Sequence, residues 1–298
     1  MLIGINTSEI IQRFGEEKAL ELIKKAGFEC VDYSLYVSSI TEGDYVAKAQ
    51  RTKQLLDTYG LVCNQAHAPF SGFKYGEAMD LSSEHYREIV SAIEYAAIIG
   101  AKHIVVHGIR VPSAFGNDVS NPNYRLYSCF GTDASLEYNY DFMKSLAPYA
   151  KKFGIKIAIE NVGVAFAAPF LLNEIMTRLD DPTFVVLVDV GHSFLFRTAP
   201  EVFISSIHPG WIKGLHIQDN DGITDQHLLP GLGKINWDNV LTALADYGYD
   251  GDFTLESTYF TKAMPVDATY EALALSAKIA RGMADRIEEL RQSRAAQG

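Results

Sequence analysis

KIAIENVGVAFAAPFLLNEIMTRLDDPTFVVLVDVGH, residues 156–192, sets two short apolar runs, 156–161 and 184–189, on either side of one segment of helical period, 169–180. The runs are rich in Ile and Val and do not alternate apolar with polar, so each is a strand buried on both faces. Strand, helix and strand in that order form a crossover unit, and the crossover makes the second strand parallel to the first.

The same alternation continues in both directions. Strands are predicted at 2–6, 30–35, 62–67 and 103–107 before this unit, and at 212–218 and 252–257 after it. Helical stretches lie near 9–26, 44–59, 82–99, 135–153, 199–207, 237–247 and 267–295. Gly27, Gly60, Gly100, Gly154 and Gly248 fall just past helix ends, where a left-handed cap is wanted. Eight such units close naturally on themselves, so the expected fold is α/β, a single parallel (β/α)₈ TIM barrel spanning 1–298 as one domain. Its 298 residues exceed the roughly 250 that such a barrel takes. The excess lies in two long connections, about 109–134 after the fourth strand and 219–236 after the seventh. Both leave the C-terminal ends of strands, where barrel active sites form, and loops of that length are usually lids or binding loops.

Composition narrows the setting. A hydrophobic content of 48% with 21% charged residues suits a soluble globular protein with a sizeable core. The opening Met1-Leu2-Ile3-Gly4-Ile5-Asn6 reads as a first strand rather than a signal peptide, and no run reaches the roughly 18 apolar residues of a membrane helix. Cys30, Cys63 and Cys129 have no Cys-x-x-Cys spacing and are expected to be free thiols in a cytoplasmic protein. A formal charge of −11, without a Lys/Arg cluster, disfavours nucleic acid and anionic membranes as partners. Gly231-Leu232-Gly233-Lys234 has the wrong spacing for a phosphate-binding loop, and no Gly-x-Ser-x-Gly elbow supports serine hydrolysis.

Polar residues interrupt the apolar strands at matching heights. His67 ends the third strand and His107 the fourth, Glu160 closes the fifth, and Asp189 closes the sixth with His192 three residues on. His216 lies on the seventh, Asp225 and His227 follow in its loop, and Glu256 ends the eighth. One histidine near a strand end is ordinarily a hydrogen-bonded structural residue, and one acid there can be a helix cap. Several unpaired buried carboxylates together are costly, and a cation removes that cost. Glu160, Asp189, His216 and Glu256 are therefore expected to hold a divalent metal. Their mixed carboxylate and imidazole donors suit Mn, Zn, Co or Fe. His67, His107, His192, Asp225 and His227 are expected to bind substrate or to hold a second metal. His85, His103 and His208 receive no role.

These segments resemble the xylose isomerase-like TIM barrel superfamily, in particular its sugar phosphate isomerase/epimerase group. The resemblance runs from first strand to last and is carried by Ile159-Glu160-Asn161, by Asp189-Val190-Gly191-His192, and by His216-Ile217-Gln218-Asp219-Asn220-Asp221-Gly222. It continues through Pro230-Gly231-Leu232-Gly233-Lys234-Ile235-Asn236-Trp237 and Glu256-Ser257. It implies an isomerase or epimerase of a keto sugar or keto polyol, with proton transfer through a metal-stabilised enediolate. Glu160 and Glu256 would move the protons, and His192 would contact substrate. A dehydratase or lyase on a similar substrate is an alternative that the same chemistry allows. The related endonuclease IV, a trinuclear zinc phosphodiesterase, has a ligand pattern that matches all nine of these residues. The apolar stretch 162–169 departs from that enzyme's DNA-facing segment. Some epimerases carry a basic residue six positions after the seventh-strand histidine, where this chain has Gly222. A small-molecule sugar is thus the expected partner, and a homo-oligomer is compatible with the fold.

Overall fold

A computed structural model describes residues 1–70, 76–109, 133–162 and 166–296, and each of the eight predicted runs is a strand in it. They are β1 (Ile3–Asn6), β2 (Cys30–Ser34), β3 (Val62–His67), β4 (His103–Val106), β5 (Lys156–Glu160), β6 (Phe184–Asp189), β7 (Ile212–His216) and β8 (Phe253–Leu255). Neighbours pair in parallel in the order β7-β6-β5-β4-β3-β2-β1-β8. The ends of that order meet: Ile217 N–H donates to Thr254 O and Glu256 N–H to Ile217 O, each at 2.9 Å, which closes an α/β TIM barrel.

Alternation along the strands divides the side chains into two sets. One packs between sheet and helices and forms the main apolar core. The other lines the axis, where Val105, Ala158, Val185 and Leu187 make a small separate cluster beneath the polar strand ends. Two register shifts decide which residues of β3 and β7 reach the axis. Opposite β2, the pairing steps from Cys63 to Gln65, and opposite β6 it steps from Ile212 to Gly214. Asn64 and Lys213 are thus the extra residues of two bulges, and each resets the phase of its strand. Ile212 and Leu215 both join the outer core, so without the bulge His216 would not face the axis. Gly214 completes the adjustment, because a Cβ there would sit 2.7 Å from His103 Nε2 inside the barrel.

Among the described residues, the helices follow the predicted pattern with four differences. The stretch 9–26 is two helices, α1 (Ser8–Phe14) and α2 (Glu16–Ala26), broken at Gly15 with φ +75°. Three short helices, Val37–Thr41, Val190–Leu195 and Thr258–Ala263, escape the periodic reading because five or six residues cannot display a repeat of 3.6. All five glycines predicted to cap helices have positive φ. Of the two long connections, 219–236 is described throughout, whereas 110–132 lies outside the described residues. Cys30 and Cys63 are free and buried, and Cys129 falls in the segment not described. No helix among the described residues is long and apolar enough to cross a membrane.

Candidate metal centre

The strand ends bring Glu160 from β5, Asp189 from β6, His216 from β7 and Glu256 after β8 to one point, with one ligand-type atom from each within 4.8 Å of all the others. Glu160 is the hub. Its Oε1 lies 3.1 Å from His216 Nδ1 and 3.3 Å from His192 Nδ1. Its Oε2 lies 2.7 Å from His107 Nε2 and 3.4 Å from His67 Nε2. Two further groups share the same spacing, His67–His107–Glu160 and His192–Asp225–His227. All nine residues singled out from sequence therefore stand at one end of the barrel.

Hydrogen bonds on the far side of three rings decide which nitrogen each offers. A carbonyl only accepts, so His67 Nδ1–H donates to Ala68 O (2.8 Å) and His227 Nδ1–H to Glu256 O (3.0 Å). His216 Nε2–H donates in the same way to Asp32 Oδ2 (3.0 Å). In each ring the opposite nitrogen is then the one that faces the acids, where it carries a proton or, with a cation in place of that proton, offers a lone pair. His227 reaches its position with φ +46°, uncommon for a residue with a Cβ.

Charge in this space is unbalanced. Burial pushes the Asp189 carboxyl up to about 7, opposed by His192 and reinforced by Glu256 and Glu160. Burial also works against a charged Glu160, but His216 and His107 hold it well below the usual carboxylate range. Burial disfavours a charged His216 too, yet Glu256 and Glu160 keep it well above an ordinary histidine. The proton on His216 thus offsets the crowded acids, a task that one divalent cation would take over. Asp189 Oδ2, His192 Nδ1 and Glu256 Oε2 are buried with no hydrogen-bond partner. Orphaned polar atoms of this kind, in a mixed oxygen and nitrogen set, fit Mn, Fe, Co or Zn.

Neighbouring residues fix these groups in place. Asp189 also caps the helix Val190–Leu195, its Oδ1 accepting from His192 N–H at 2.6 Å. The Asn161 amide grips the backbone of Asp189 twice, accepting from its N–H (2.6 Å) and donating to its carbonyl (2.9 Å). Gln218 Nε2 bridges Asp225 Oδ1 (2.9 Å) and Asp189 Oδ1 (3.4 Å). Gly191 leaves room for that bridge, since a Cβ there would lie 2.1 Å from Gln218 Cδ. Sequence reasoning did not single out Asp32 or Gln218 as site residues; the signal available was a polar residue within a predicted strand, Asp32 inside 30–35 and Gln218 at the end of 212–218, and both are fully buried.

Among the aromatic residues of the segments that follow these strands, Phe70 is 69% exposed and stacks on His107 at 5.1 Å. Trp237 instead commits its Nε1–H to Asp219. Phe73, Tyr124, Tyr127 and Phe130 lie outside the described residues. Gly222 has φ +75° and a Cβ there would meet Phe194 at 3.0 Å, which leaves little room for the basic side chain some epimerases carry. The three histidines without an expected role sit elsewhere: His85 pairs with Glu88, His208 is exposed, and His103 is buried along the axis below the site.

The model of the xylose isomerase-like TIM barrel family matches residues 20–279, nearly the whole barrel. The chain belongs to this family. Among its relatives, an uncharacterized protein of Methanocaldococcus jannaschii, MJ1311, is 29% identical over 230 residues, 73% of each chain. Fructoselysine 3-epimerase of Shigella flexneri is 23% identical over 216 residues, 70% of this chain and 72% of its own. The solved structure of a D-tagatose 3-epimerase-like protein superposes with a TM-score of 0.71 at 24% identity, covering 97% of this chain and 99% of that one. A solved structure that carries an epimerase name thus shares this architecture.

Proposed function

We propose that this protein is a divalent-metal-dependent epimerase or isomerase of a keto sugar or keto polyol. The observation that carries the reading is the pair Glu160 and Glu256, which flank His216 Nδ1 at 3.1 and 3.4 Å. With Asp189 they form a set able to hold one cation and still present two carboxylates to a single carbon. The epimerase names of similar proteins support the same substrate class. A bound metal would supply Lewis-acid polarisation of the substrate carbonyl. Glu160, held ionised by its histidines, takes the proton from the carbon between carbonyl and hydroxyl. Glu256 returns a proton, to the opposite face in an epimerase or to the neighbouring carbon in an isomerase. His192, whose Nε2 lies 3.4 Å from Asp225 Oδ2, is placed to hydrogen-bond a substrate oxygen. Release of a β-hydroxyl after the first proton transfer would make the protein a dehydratase instead.

One observation favours a second reading, a multinuclear zinc phosphodiesterase. His67–His107–Glu160 and His192–Asp225–His227 each have the spacing to hold a cation of their own. Against it, the formal charge of −11 repels a phosphate backbone, and Phe166 and Ala167 are buried in the core rather than turned to solvent. Metal-loaded protein incubated with ketohexoses in D₂O separates the two. Deuterium entering the carbon beside the carbonyl, with about one metal per chain, supports the sugar enzyme. Two or three zinc ions with incision of abasic DNA would establish the phosphodiesterase. A Glu256→Gln variant that kept its metal and full turnover would remove Glu256 from the mechanism.

A further inference from the structure

Asp32 is an acid beside the site that faces the wrong way to join it. It lies on β2, across the barrel from the strands that carry the four acid and imidazole groups, and it is fully buried. Its Oδ2 accepts from His216 Nε2 at 3.0 Å, on the side of the ring opposite the acids. The imidazole separates it from Glu160 and Glu256, so it cannot share a ligand with them. Its own orientation is fixed from behind. Asn6 Nδ2 donates to the same Oδ2 at 2.7 Å. Asn6 Oδ1 in turn accepts from Ser8 N–H (2.9 Å) and from Ser34 Oγ–H (3.1 Å). The chain from the first two strands to β7 ends on one ring nitrogen.

We propose that Asp32 is a positioning residue that commits His216 to bind metal through Nδ1. By accepting the Nε2 proton it excludes the tautomer in which Nδ1 carries hydrogen, and its charge makes Nδ1 a stronger donor. This rests on the reading that Glu160, Asp189, His216 and Glu256 hold a metal. It adds that the affinity of the site is set partly by β1 and β2, which contribute no ligand. The ordinary alternative is that Asp32 and His216 form a buried pair that only supports the fold. The two roles differ in what happens without metal. Asp32 Oδ1 is buried and unpartnered, so Asp32→Asn keeps an acceptor at the Oδ2 position and sets an amide NH₂ without an acceptor where Oδ1 stands, a cost to the metal-free fold that is measured apart from metal affinity.

The test compares wild type with Asp32→Asn, and with Asn6→Ala as a second route to the same bond. Cobalt(II) affinity is measured by chelator competition against the visible bands of the bound ion, and melting is measured on metal-free protein. Expected for Asp32→Asn is a loss of about 10- to 100-fold in affinity, larger than any fall in metal-free stability accounts for. Asn6→Ala should lose less affinity, since the carboxylate keeps its charge. Unchanged affinity in Asp32→Asn, or a fall in metal-free stability that accounts for the whole loss, would overturn the proposal. Wild-type protein that takes no cobalt would overturn it together with the metal site. Wild type that binds cobalt but leaves every sugar unchanged would refute the sugar reading alone, and the affinity ratio would still decide the role of Asp32.

Discussion

At the residue scale, the site is a set of histidines with one nitrogen already spoken for. His107 is informative because its Nε2 sits 2.7 Å from Glu160 Oε2, while Phe70 lies over its ring. If it reads a sugar hydroxyl, His107→Asn should leave metal content at one per chain and raise KM roughly tenfold, the worth of one hydrogen bond. Loss of a second metal in that variant, measured by elemental analysis, would mean that His107 is a ligand. His103 gives a pH prediction independent of metal. Burial, opposed by Asp32, lowers its pKa from 6.5 to about 4. The unfolded chain therefore takes up more protons than the folded one between those values, and stability falls as pH drops through that window. The penalty reaches about 3 kcal/mol at its acid end. Urea unfolding of wild type and His103→Gln across pH 4 to 6.5 should show a flatter profile in the variant; parallel profiles would contradict the shift. The nine residues at strand ends were legible in sequence because acids and imidazoles interrupt apolar runs. Asp32 was not, since its partner His216 is 184 positions away and only barrel closure brings the two together.

At the scale of elements, the loop 219–236 is built around one buried carboxylate. Asp219 Oδ1 accepts from Asn220 N–H (2.9 Å) and Ile235 N–H (3.2 Å), and its Oδ2 from Gly231 N–H and Trp237 Nε1–H, both at 2.9 Å. Gly233 passes so close that a Cβ would lie 2.2 Å from Asp219 Oδ1. Asp225 and His227 ride on this loop, so its shape sets their distance from His192. Asp219→Ala strands four donors and should cost about 3 kcal/mol or more in urea unfolding, because each orphaned donor carries a desolvation penalty. Turnover should fall with it, and protease should cut near 221–226 in the variant first. A variant as stable and as resistant as wild type would show that the loop is held by something else. The loop's length was readable from sequence, and so was its place after the seventh strand. Its organisation was not, since an Asp-Asn-Asp run reads simply as a turn. The bulges at Asn64 and Lys213 were equally hidden: nothing in VCNQAH or IKGLH marks which residue is extra, and only pairing with the neighbouring strand reveals it.

At the scale of the whole molecule, the four proposed ligands sit where the barrel closes. β5 and β6 are joined by four registered pairs, whereas β7 meets β8 through a single bridge, Ile217 opposite Leu255. His216 precedes one residue of that bridge and Glu256 follows the other, while Glu160 and Asp189 anchor the same point to the longer ladders. A cation held by all four would therefore clasp the weakest seam of the sheet and relieve the mutual repulsion of three crowded acids. A ligand that binds only the folded state at a hundredfold excess over its Kd stabilises by about 2.7 kcal/mol. Chelation should accordingly lower the melting temperature by several degrees. The effect should also be local. The amide hydrogens of Ile217 and Glu256, which bond across the seam, should exchange faster on metal removal, while those within the β5–β6 ladder stay protected. Hydrogen exchange read by mass spectrometry with and without chelator measures both. Equal acceleration in the two ladders would mean that metal stabilises the barrel without clasping it, and an unchanged melting temperature would mean that these four residues hold no ion.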